Sequence, residues 1–238
     1  MEASKSFSGV AICVVSSGRP VHLRWALNLP TLAFPVGMSV GWFAIQGPDR
    51  AANREKLVEE AIKVGSRYVF FMDDDTVVPN FTLRYLHAEI EKKPSIMVCG
   101  GVYCTKEDPP APLVFKTLGG GPFYHWKVGD IFPCAGLGTG CMLIKTEVFK
   151  HISKPWFLEP NEYFIDKTVK LNGIECPLSA IKGTDDLFFC RKVAEAGFEI
   201  IAHGGVLPVH LDQDGKMYTL PLDSYPCKDM GLKELIQN

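Results

Sequence analysis

The chain alternates apolar runs of strand length with amphipathic stretches of helical spacing. Four apolar runs bounded by turn residues predict strands over residues 9–15, 38–45, 68–72 and 96–103. Three amphipathic stretches predict the intervening helices, with apolar positions at Leu23, Ala26, Leu27 and Leu29, then at Leu57, Val58, Ala61 and Ile62 before Gly65, then at Leu83, Leu86 and Ile90 before Pro94. This β-α-β-α-β-α-β order predicts a mainly parallel, doubly wound α/β sheet flanked by helices.

The regular alternation breaks between Cys104 and Cys134, where prolines, a triple glycine and an aromatic run at residues 123–126 accumulate. Two interpretations stay open: a mobile aromatic lid or acceptor loop, and a long hairpin insertion packed by its own aromatics. Beyond it we expect a strand over residues 141–144, a helix from about Thr146, a helix over residues 186–196 with Leu187, Cys190 and Ala194 facing inward, and a strand over residues 199–202.

Composition narrows the class of protein. A chain of 238 residues with 47% hydrophobic content can form one domain with a full core. A net charge of -2 and a pI near 6.3 argue against binding nucleic acid mainly through bulk electrostatics, although a local basic groove stays open. Without a signal core or an apolar run of about 18 residues, we expect a soluble, cytoplasmic protein with no membrane insertion.

The cysteines argue against a zinc site. None of them forms a C-x-x-C pair, and most lie in apolar surroundings, so we expect reduced core residues. The eight are Cys13, Cys99, Cys104, Cys134, Cys141, Cys176, Cys190 and Cys227.

Three carboxylates, Asp73, Asp74 and Asp75, follow the apolar strand at residues 68–72. Open α/β sheets bind ligands beyond the carboxyl ends of such strands, and adjacent anions there need a counter-charge. A hard divalent ion suits carboxylate oxygens and the phosphates of a substrate, so the triplet predicts a magnesium or manganese site. The alternative is an acidic turn that caps the following helix.

Two further positions carry candidate chemistry. Asp185 and Asp186 open a predicted helix, whose dipole favours an ionised carboxylate that could accept a proton, although plain N-capping also accounts for such residues. His210 ends a strand-like apolar run and is either a core histidine or a metal ligand. The run Gly136-x-Gly138-x-Gly140 leads into a strand, and no P-loop occurs, so nucleotide-binding fingerprints of both kinds are excluded.

These motifs, together with the segment G-T-G-C-M-L-I-K-T-E-V-F and an F-C-R helix ended by A-G-F, resemble the family 2 glycosyltransferases of GT-A fold over about residues 9–212. The resemblance implies that Asp73 and Asp75 form a D-x-D motif that, with His210, holds Mn²⁺ or Mg²⁺, and it favours Asp75 over Asp73 as the direct ligand. The late histidine of the family matches His210. The metal would bridge the diphosphate of a nucleotide sugar, with a UDP-sugar favoured.

The same resemblance assigns the remaining site residues. It makes Asp186 the base that deprotonates the acceptor, with Asp185 where the family usually has Glu. The family's A-R-N segment appears here as Ala51-Ala52-Asn53, so its arginine is missing and Arg50 or Arg54 is the substitute. The implied donor-binding residues are Ser16, Ser17, Gly18, Arg19, Arg50, Asn53, Arg54, Asp74 and Lys216, with Tyr218 as an alternative to Lys216.

The resemblance also implies one catalytic domain over residues 1–238, with a nucleotide-sugar half at about 9–103, an acceptor and catalytic half at about 104–212, and a tail at 213–238. The acceptor class is open among saccharides, small metabolites, proteins and hydroxymethylated pyrimidines in DNA. A DNA acceptor would use the aromatic run and the basic residues Arg24, Lys106, Lys116 and Lys127.

Two rival functions remain. One is a haloacid-dehalogenase-like phosphotransferase, in which Asp73 would be the nucleophile; its catalytic lysine is expected well ahead of the acidic pair, whereas Lys182 lies almost next to that pair, which argues against this alternative. The other is a non-catalytic sugar-nucleotide-binding module, which needs no acidic residues at three separate places.

Overall fold

The centre of the computed structural model is a seven-stranded sheet, and the structure describes residues 9–159, 168–171, 174–177 and 184–220. The strands are β1 Val10–Ser16, β2 Val40–Gln46, β3 Tyr68–Met72, β4 Thr76–Val77, β5 Ile96–Gly101, β6 Val114–Phe115, β7 Ile131–Cys134, β8 Gly136–Leu137, β9 Cys141–Lys145, β10 Thr168–Leu171, β11 Ile174–Pro177, β12 Glu199–His203, β13 Val209–Leu211 and β14 Met217–Tyr218. The helices are α1 Leu23–Asn28, α2 Arg50–Lys63, α3 Thr82–Ile90 and α4 Asp185–Glu195, with short 3₁₀ segments at Leu29–Thr31 and Thr146–Lys150.

The main sheet has the strand order β2-β1-β3-β9-β5-β12-β7. Strands β1, β2, β3, β5 and β12 run in one direction, and β9 and β7 run against them, so the predicted mostly parallel sheet is confirmed. The simple succession of βα units is wrong at one place, because β9 lies between β3 and β5. The connection through α3 leaves one strand position open between β3 and β5. Strand β9 later fills this position and runs antiparallel to both neighbours.

Both faces of this sheet are covered, which explains the unbroken apolar runs of its central strands. Val69 and Phe71 of β3 face one core with α2 and α4, whereas Phe70 and Met72 face a second core with α1 and α3. Alternate residues of a strand point to opposite faces, so every position of β3 is buried. The acidic triplet therefore begins where a fully buried strand reaches the edge of the sheet.

Three predicted apolar helix faces need correction. In α1, Leu23 and Leu27 are 68% and 61% exposed, because this six-residue helix reaches the core through Trp25. In α2, Ile62 is exposed at the last turn, and in α4, Ala194 is exposed while Phe188 and Phe189 supply the packing. The predicted helix at Thr146 is a 3₁₀ segment.

The irregular segment between Cys104 and Cys134 packs largely on its own aromatics and lends one strand to the sheet. Phe123 and Trp126 contact Phe132 with ring centroids 5.6 and 6.2 Å apart, and Trp126 is buried. Strand β7 pairs with β12 at the sheet edge. This arrangement favours the packed insertion over the mobile lid.

The six cysteines that the structure describes are free thiols, five buried and Cys134 half-buried, as predicted, whereas the side chains of Cys176 and Cys227 lie outside the description. Within the same described ranges, no helix has both the length and the apolar character needed to cross a bilayer.

Candidate functional site

The candidate site lies at the edge of the sheet where the parallel strands end. Asp73, Asp74 and Asp75 follow β3, Ser16 ends β1, and Lys106 follows β5. Because β9 is antiparallel, its start brings Gly138 and Gly140 to the same edge. Ligands of open α/β sheets bind in such a crevice.

Arg54 joins two of the predicted acidic positions. It lies in α2, and its guanidinium Nη2 donates to Asp73 Oδ1 at 3.1 Å while Nη1 donates to Asp185 Oδ2. The side chains of Arg54 and Asp185 are only 3% and 4% exposed. Burial alone would lower the pKa of Arg54, but the carboxylates of Asp73, Asp185 and Asp186 raise it above its ordinary value. Arg54 therefore remains a fixed positive charge between the end of β3 and the start of α4.

Asp75 is the centre of a second cluster. Its Oδ2 accepts from Lys106 Nζ at 2.7 Å, and its Oδ1 lies 3.3 Å from His210 Nε2. Burial by itself raises the pKa of Asp75, but the hydrogen bonds and positive charge of His210 and Lys106 lower it to about 2. Asp73 differs, because burial and the nearby carboxylates of Asp75 and Asp185 raise its pKa against the opposing effect of Arg54.

The orientation of His210 bears on metal binding. Its Nδ1 lies 2.9 Å from the Cys104 carbonyl oxygen, which can only accept, so Nδ1 carries a proton and Nε2 faces Asp75. With a proton on Nε2 the two groups form the ion pair that lowers the pKa of Asp75. Without that proton, an imidazole nitrogen and a carboxylate oxygen would face each other, and divalent ions accept both as ligands. Among the residues that the structure describes, no three or more His, Cys, Asp or Glu side chains are grouped to hold a metal.

Tyr103 holds His210 in place. The two rings meet edge to face with centroids 5.5 Å apart, and the Tyr103 hydroxyl accepts from the Gly140 amide at 2.9 Å. A Cβ at Gly138 would lie 2.4 Å from Tyr103 Oη, and one at Gly140 would lie 2.7 Å from it. Gly138 and Gly140 therefore make room for a buried tyrosine rather than for a dinucleotide.

The first loop and the acidic triplet form a small pocket of about 90 Å³, which Ser17, Arg19, Asp74, Asp75 and Lys106 help to line. Burial raises the pKa of Asp74 against a hydrogen bond from Ser16. Gly18 has φ +87°, and a Cβ there would lie 2.5 Å from Gln46 Nε2. With the oxygen of the Gln213 side-chain amide facing Arg19, Arg19 Nη1 donates to that oxygen at 2.7 Å.

Asp186 is the second residue of α4 and follows Asp185 directly. Its Oδ1 accepts from the Leu187 amide at 2.8 Å and from the Thr184 hydroxyl. Burial and the adjacent charge of Asp185 raise the pKa of Asp186 to about 6. A carboxylate with that pKa is ionised at neutral pH and remains basic enough to take a proton from a hydroxyl that is being activated.

Three predicted donor-binding residues lie apart from these clusters. Arg50 pairs with the exposed Glu159 at 3.0 Å, so of the two substitute arginines the structure brings only Arg54 to Asp73. Asn53 is buried and donates to the Gly47 carbonyl at 3.1 Å, which braces the turn after β2. Lys216 is exposed, with its ammonium 4.6 Å from the Tyr218 ring.

Sequence reasoning missed the roles of Lys106 and Tyr103, and it missed Trp25, whose indole donates to the Asp73 carbonyl at 2.9 Å. Tyr103 and Lys106 come directly after β5, whose carboxyl end lies at the same edge of the sheet as that of β3. Their position after a predicted strand was the sequence signal that could have found them. Lys182, the lysine of the phosphotransferase alternative, lies outside the described residues.

Solved structures of similar fold exist, but no protein-family model and no curated protein matches the sequence. A197 from STIV matches with a TM-score of 0.59 and 17% identity over 88% of this chain and 93% of that chain. S. aureus TarS 1-349 matches with a TM-score of 0.45 and 14% identity, over 82% of this chain and 58% of that one. A glycosyltransferase involved in the glycosylation of the major capsid of PBCV-1 matches with a TM-score of 0.31 and 12% identity, over 61% of this chain and 68% of that chain.

The fold class is therefore confirmed as α/β, with a mostly parallel seven-stranded sheet flanked by helices. A197 from STIV shares this fold along nearly its whole length. The last two likenesses, with TM-scores below 0.5, are too distant to add to that conclusion.

Proposed function

We propose that this protein is a metal-dependent glycosyltransferase that moves a sugar from a nucleoside-diphosphate sugar to an acceptor hydroxyl. The observation that carries the proposal is the ion-paired bridge from Asp73 through Arg54 to Asp185. It ties the acidic end of β3 to the helix that presents Asp186. A binding module would have no use for a basic carboxylate held beside a cation-binding strand end.

The donor side of the proposed site uses the pocket formed by the first loop and the triplet. Ser17 and Arg19 would contact the nucleotide, with Gly18 allowing the tight turn between them. A UDP-sugar is our preferred donor, following the sequence resemblance. Arg50 and Asn53 leave the proposed donor set because their side chains are engaged elsewhere.

The proposed metal ligands are Asp75 and His210, with Asp73 close by but held by Arg54. Mn²⁺ or Mg²⁺ supplies neutralising charge to the leaving diphosphate. Tyr103 and the Cys104 carbonyl orient the imidazole so that Nε2 faces Asp75, and these two side chains would hold the ion. The D-x-D aspartates are thus assigned different tasks, Asp75 in coordination and Asp73 in structure.

Asp186 is the proposed general base. It would take the proton of the acceptor hydroxyl while that oxygen attacks the anomeric carbon, and the bond from that carbon to the diphosphate oxygen breaks. One base and one stabilised leaving group suffice for a single displacement, so we propose inversion at the anomeric carbon. The acceptor class stays open, and a hydroxymethylated pyrimidine in DNA is one member of the set to be assayed.

The decisive experiment incubates the protein with UDP- and GDP-sugars, Mn²⁺ and a panel of acceptors, and measures the released nucleoside diphosphate. The panel contains saccharides, small metabolites, a protein and DNA with hydroxymethylated pyrimidines. We expect release with at least one donor, dependence on Mn²⁺, and loss of release in Asp75→Asn and His210→Ala. If no donor is cleaved and calorimetry detects no UDP binding with Mn²⁺, the proposal is wrong.

The phosphotransferase alternative has its own signature, since it would release inorganic phosphate from simple phosphate esters and would require Asp73 as a nucleophile. In the structure Asp73 Oδ1 accepts a hydrogen bond from Arg54, which lowers the nucleophilicity of that oxygen. Phosphate release by the wild-type protein, lost in Asp73→Asn, would favour that alternative.

A further inference from the structure

Lys106 forms an ion pair with Asp75, the carboxylate that would bind the proposed metal. Its ammonium lies 2.7 Å from Asp75 Oδ2, while His210 Nε2 faces Oδ1 of the same side chain. Both oxygens of Asp75 therefore have a nitrogen partner. The lysine follows β5 on an irregular segment, and its side chain is 29% exposed, so it can change partners without disturbing the core.

The same lysine lines the pocket shared by Ser17, Arg19 and Asp74, where the proposed donor would bind. The pocket therefore brings the ammonium near Asp74 as well as Asp75. A donor diphosphate entering this pocket would be an anion of higher charge than either aspartate. Lysine binds phosphate oxygens as a mobile point charge.

A divalent ion between Asp75 and His210 would stand close to the ammonium of Lys106. Like charges in a partly buried site repel strongly, because the effective dielectric constant there is well below that of water. The ammonium must then leave Asp75 or weaken the binding of the ion. The diphosphate of the donor offers it a new partner in the same pocket.

We propose that Lys106 is an exchange ligand, which neutralises Asp75 in the free protein and moves to the diphosphate of the donor when the divalent ion takes Asp75. This inference rests on the proposed function. It assigns to Lys106 a coupling role, because the lysine opposes the metal when the metal binds alone and favours the nucleotide once the metal is bound. Metal and donor should therefore bind cooperatively.

The exchange predicts effects of opposite sign from one substitution. In Lys106→Met, we expect Mn²⁺ alone to bind about tenfold more tightly, because the competing charge is gone. We expect UDP at saturating Mn²⁺ to bind about tenfold more weakly, because a charge-assisted contact is lost. Lys106→Arg keeps the charge and should stay close to the wild-type protein in both measurements.

The experiment is isothermal titration calorimetry on the full chain, first with Mn²⁺ alone and then with UDP at saturating Mn²⁺. The matched control is Lys150→Met, which removes an ion-paired lysine, 2.8 Å from Glu147, after β9 at the opposite edge of the sheet. Thermal unfolding of each variant verifies that it is folded. Lys150→Met should leave both affinities unchanged.

The outcomes separate this inference from the function on which it rests. If Lys106→Met binds Mn²⁺ no more tightly than the wild-type protein, the exchange is overturned, while binding of Mn²⁺ and UDP by the wild-type protein still supports the transferase. If the wild-type protein binds neither Mn²⁺ nor UDP, the proposed function fails and the exchange fails with it.

Discussion

Arg54 and Asp185 form a buried ion pair across 131 residues of sequence, and the other guanidinium nitrogen binds Asp73. This contact connects α2 of the first half of the chain to α4 of the second half. Buried charges are tolerated only when paired, so each partner constrains the positions of the other two. The geometry of the site therefore depends on a residue that need not touch a substrate.

Replacement of this arginine should destabilise the protein. In Arg54→Met the carboxylates of Asp73 and Asp185 lose their counter-charge, and we expect the free energy of unfolding to fall by about 3–5 kcal/mol. Urea denaturation measures this loss in the free energy of unfolding. Arg50→Met is the control on the same helix, where an exposed pair with Glu159 is lost, and a change within about 0.5 kcal/mol is expected. Equal effects of the two substitutions would contradict the buried role of Arg54.

Loss of the proposed base should act on turnover and spare the donor. For Asp186→Asn we expect kcat to fall by about 10²–10⁴, the usual contribution of general base catalysis. The affinity for UDP with Mn²⁺ should change by less than about twofold, since Asp186 has no role in binding the donor. A transfer assay and calorimetry test the two halves separately. Full activity in Asp186→Asn would show that the base lies elsewhere.

The pH dependence of transfer should reflect the raised pKa of Asp186. Burial and Asp185 move this pKa from 3.8 to about 6, so the carboxyl group holds its proton to a higher pH than an ordinary aspartate. Only the ionised form accepts a proton from the acceptor. We therefore expect kcat/KM to fall by about tenfold for each pH unit below about 6. If kcat/KM instead began to fall only near pH 3.8, the ordinary pKa of aspartate, Asp186 would not be the base.

A methyl group at Gly138 should disturb the histidine through Tyr103. The added Cβ would lie 2.4 Å from the buried hydroxyl, and we expect Gly138→Ala to lower the free energy of unfolding by about 1–3 kcal/mol. Because Tyr103 packs on His210, the affinity for Mn²⁺ should fall as well.

A double-mutant cycle with Tyr103→Phe tests the cause of that loss. Removing the hydroxyl relieves the nearest clash, so the double variant should be less destabilised than the sum of the two single variants. Additive losses would mean that the added methyl group clashes with the ring carbons of residue 103, which lie at 2.8 and 3.0 Å, rather than with the hydroxyl.

Local sequence patterns were sufficient for β1, β2, β3, α2 and α3, because each has a clear periodicity and a turn residue at its end. Gly65, with φ +81°, closes α2 as expected. The patterns did not predict that β9 would separate β3 from β5. The pairing of β3 with β9 joins residues 69 to 77 positions apart, and no periodicity within either strand indicates its neighbour.

Local sequence patterns also predicted part of the candidate site. A buried strand that ends in Asp73–Asp75 and a helix that begins with Asp185 and Asp186 are visible in the sequence. The choice of Arg54 over Arg50 was not, because both lie in the first turns of the same helix. Burial decides between them, as Arg54 is 3% exposed and Arg50 is 54% exposed.

By itself, the sequence determined a mostly parallel α/β sheet with acidic side chains at the edge where its parallel strands end, since apolar periodicity and the placement of charges are local properties of a chain. Only the tertiary structure decided the partner of each charge: Arg54 for Asp73 and Asp185, and Lys106 and His210 for Asp75. The physical reason is that charge compensation in a buried site depends on distances between elements remote in sequence, and those distances are set by how the sheet and helices pack.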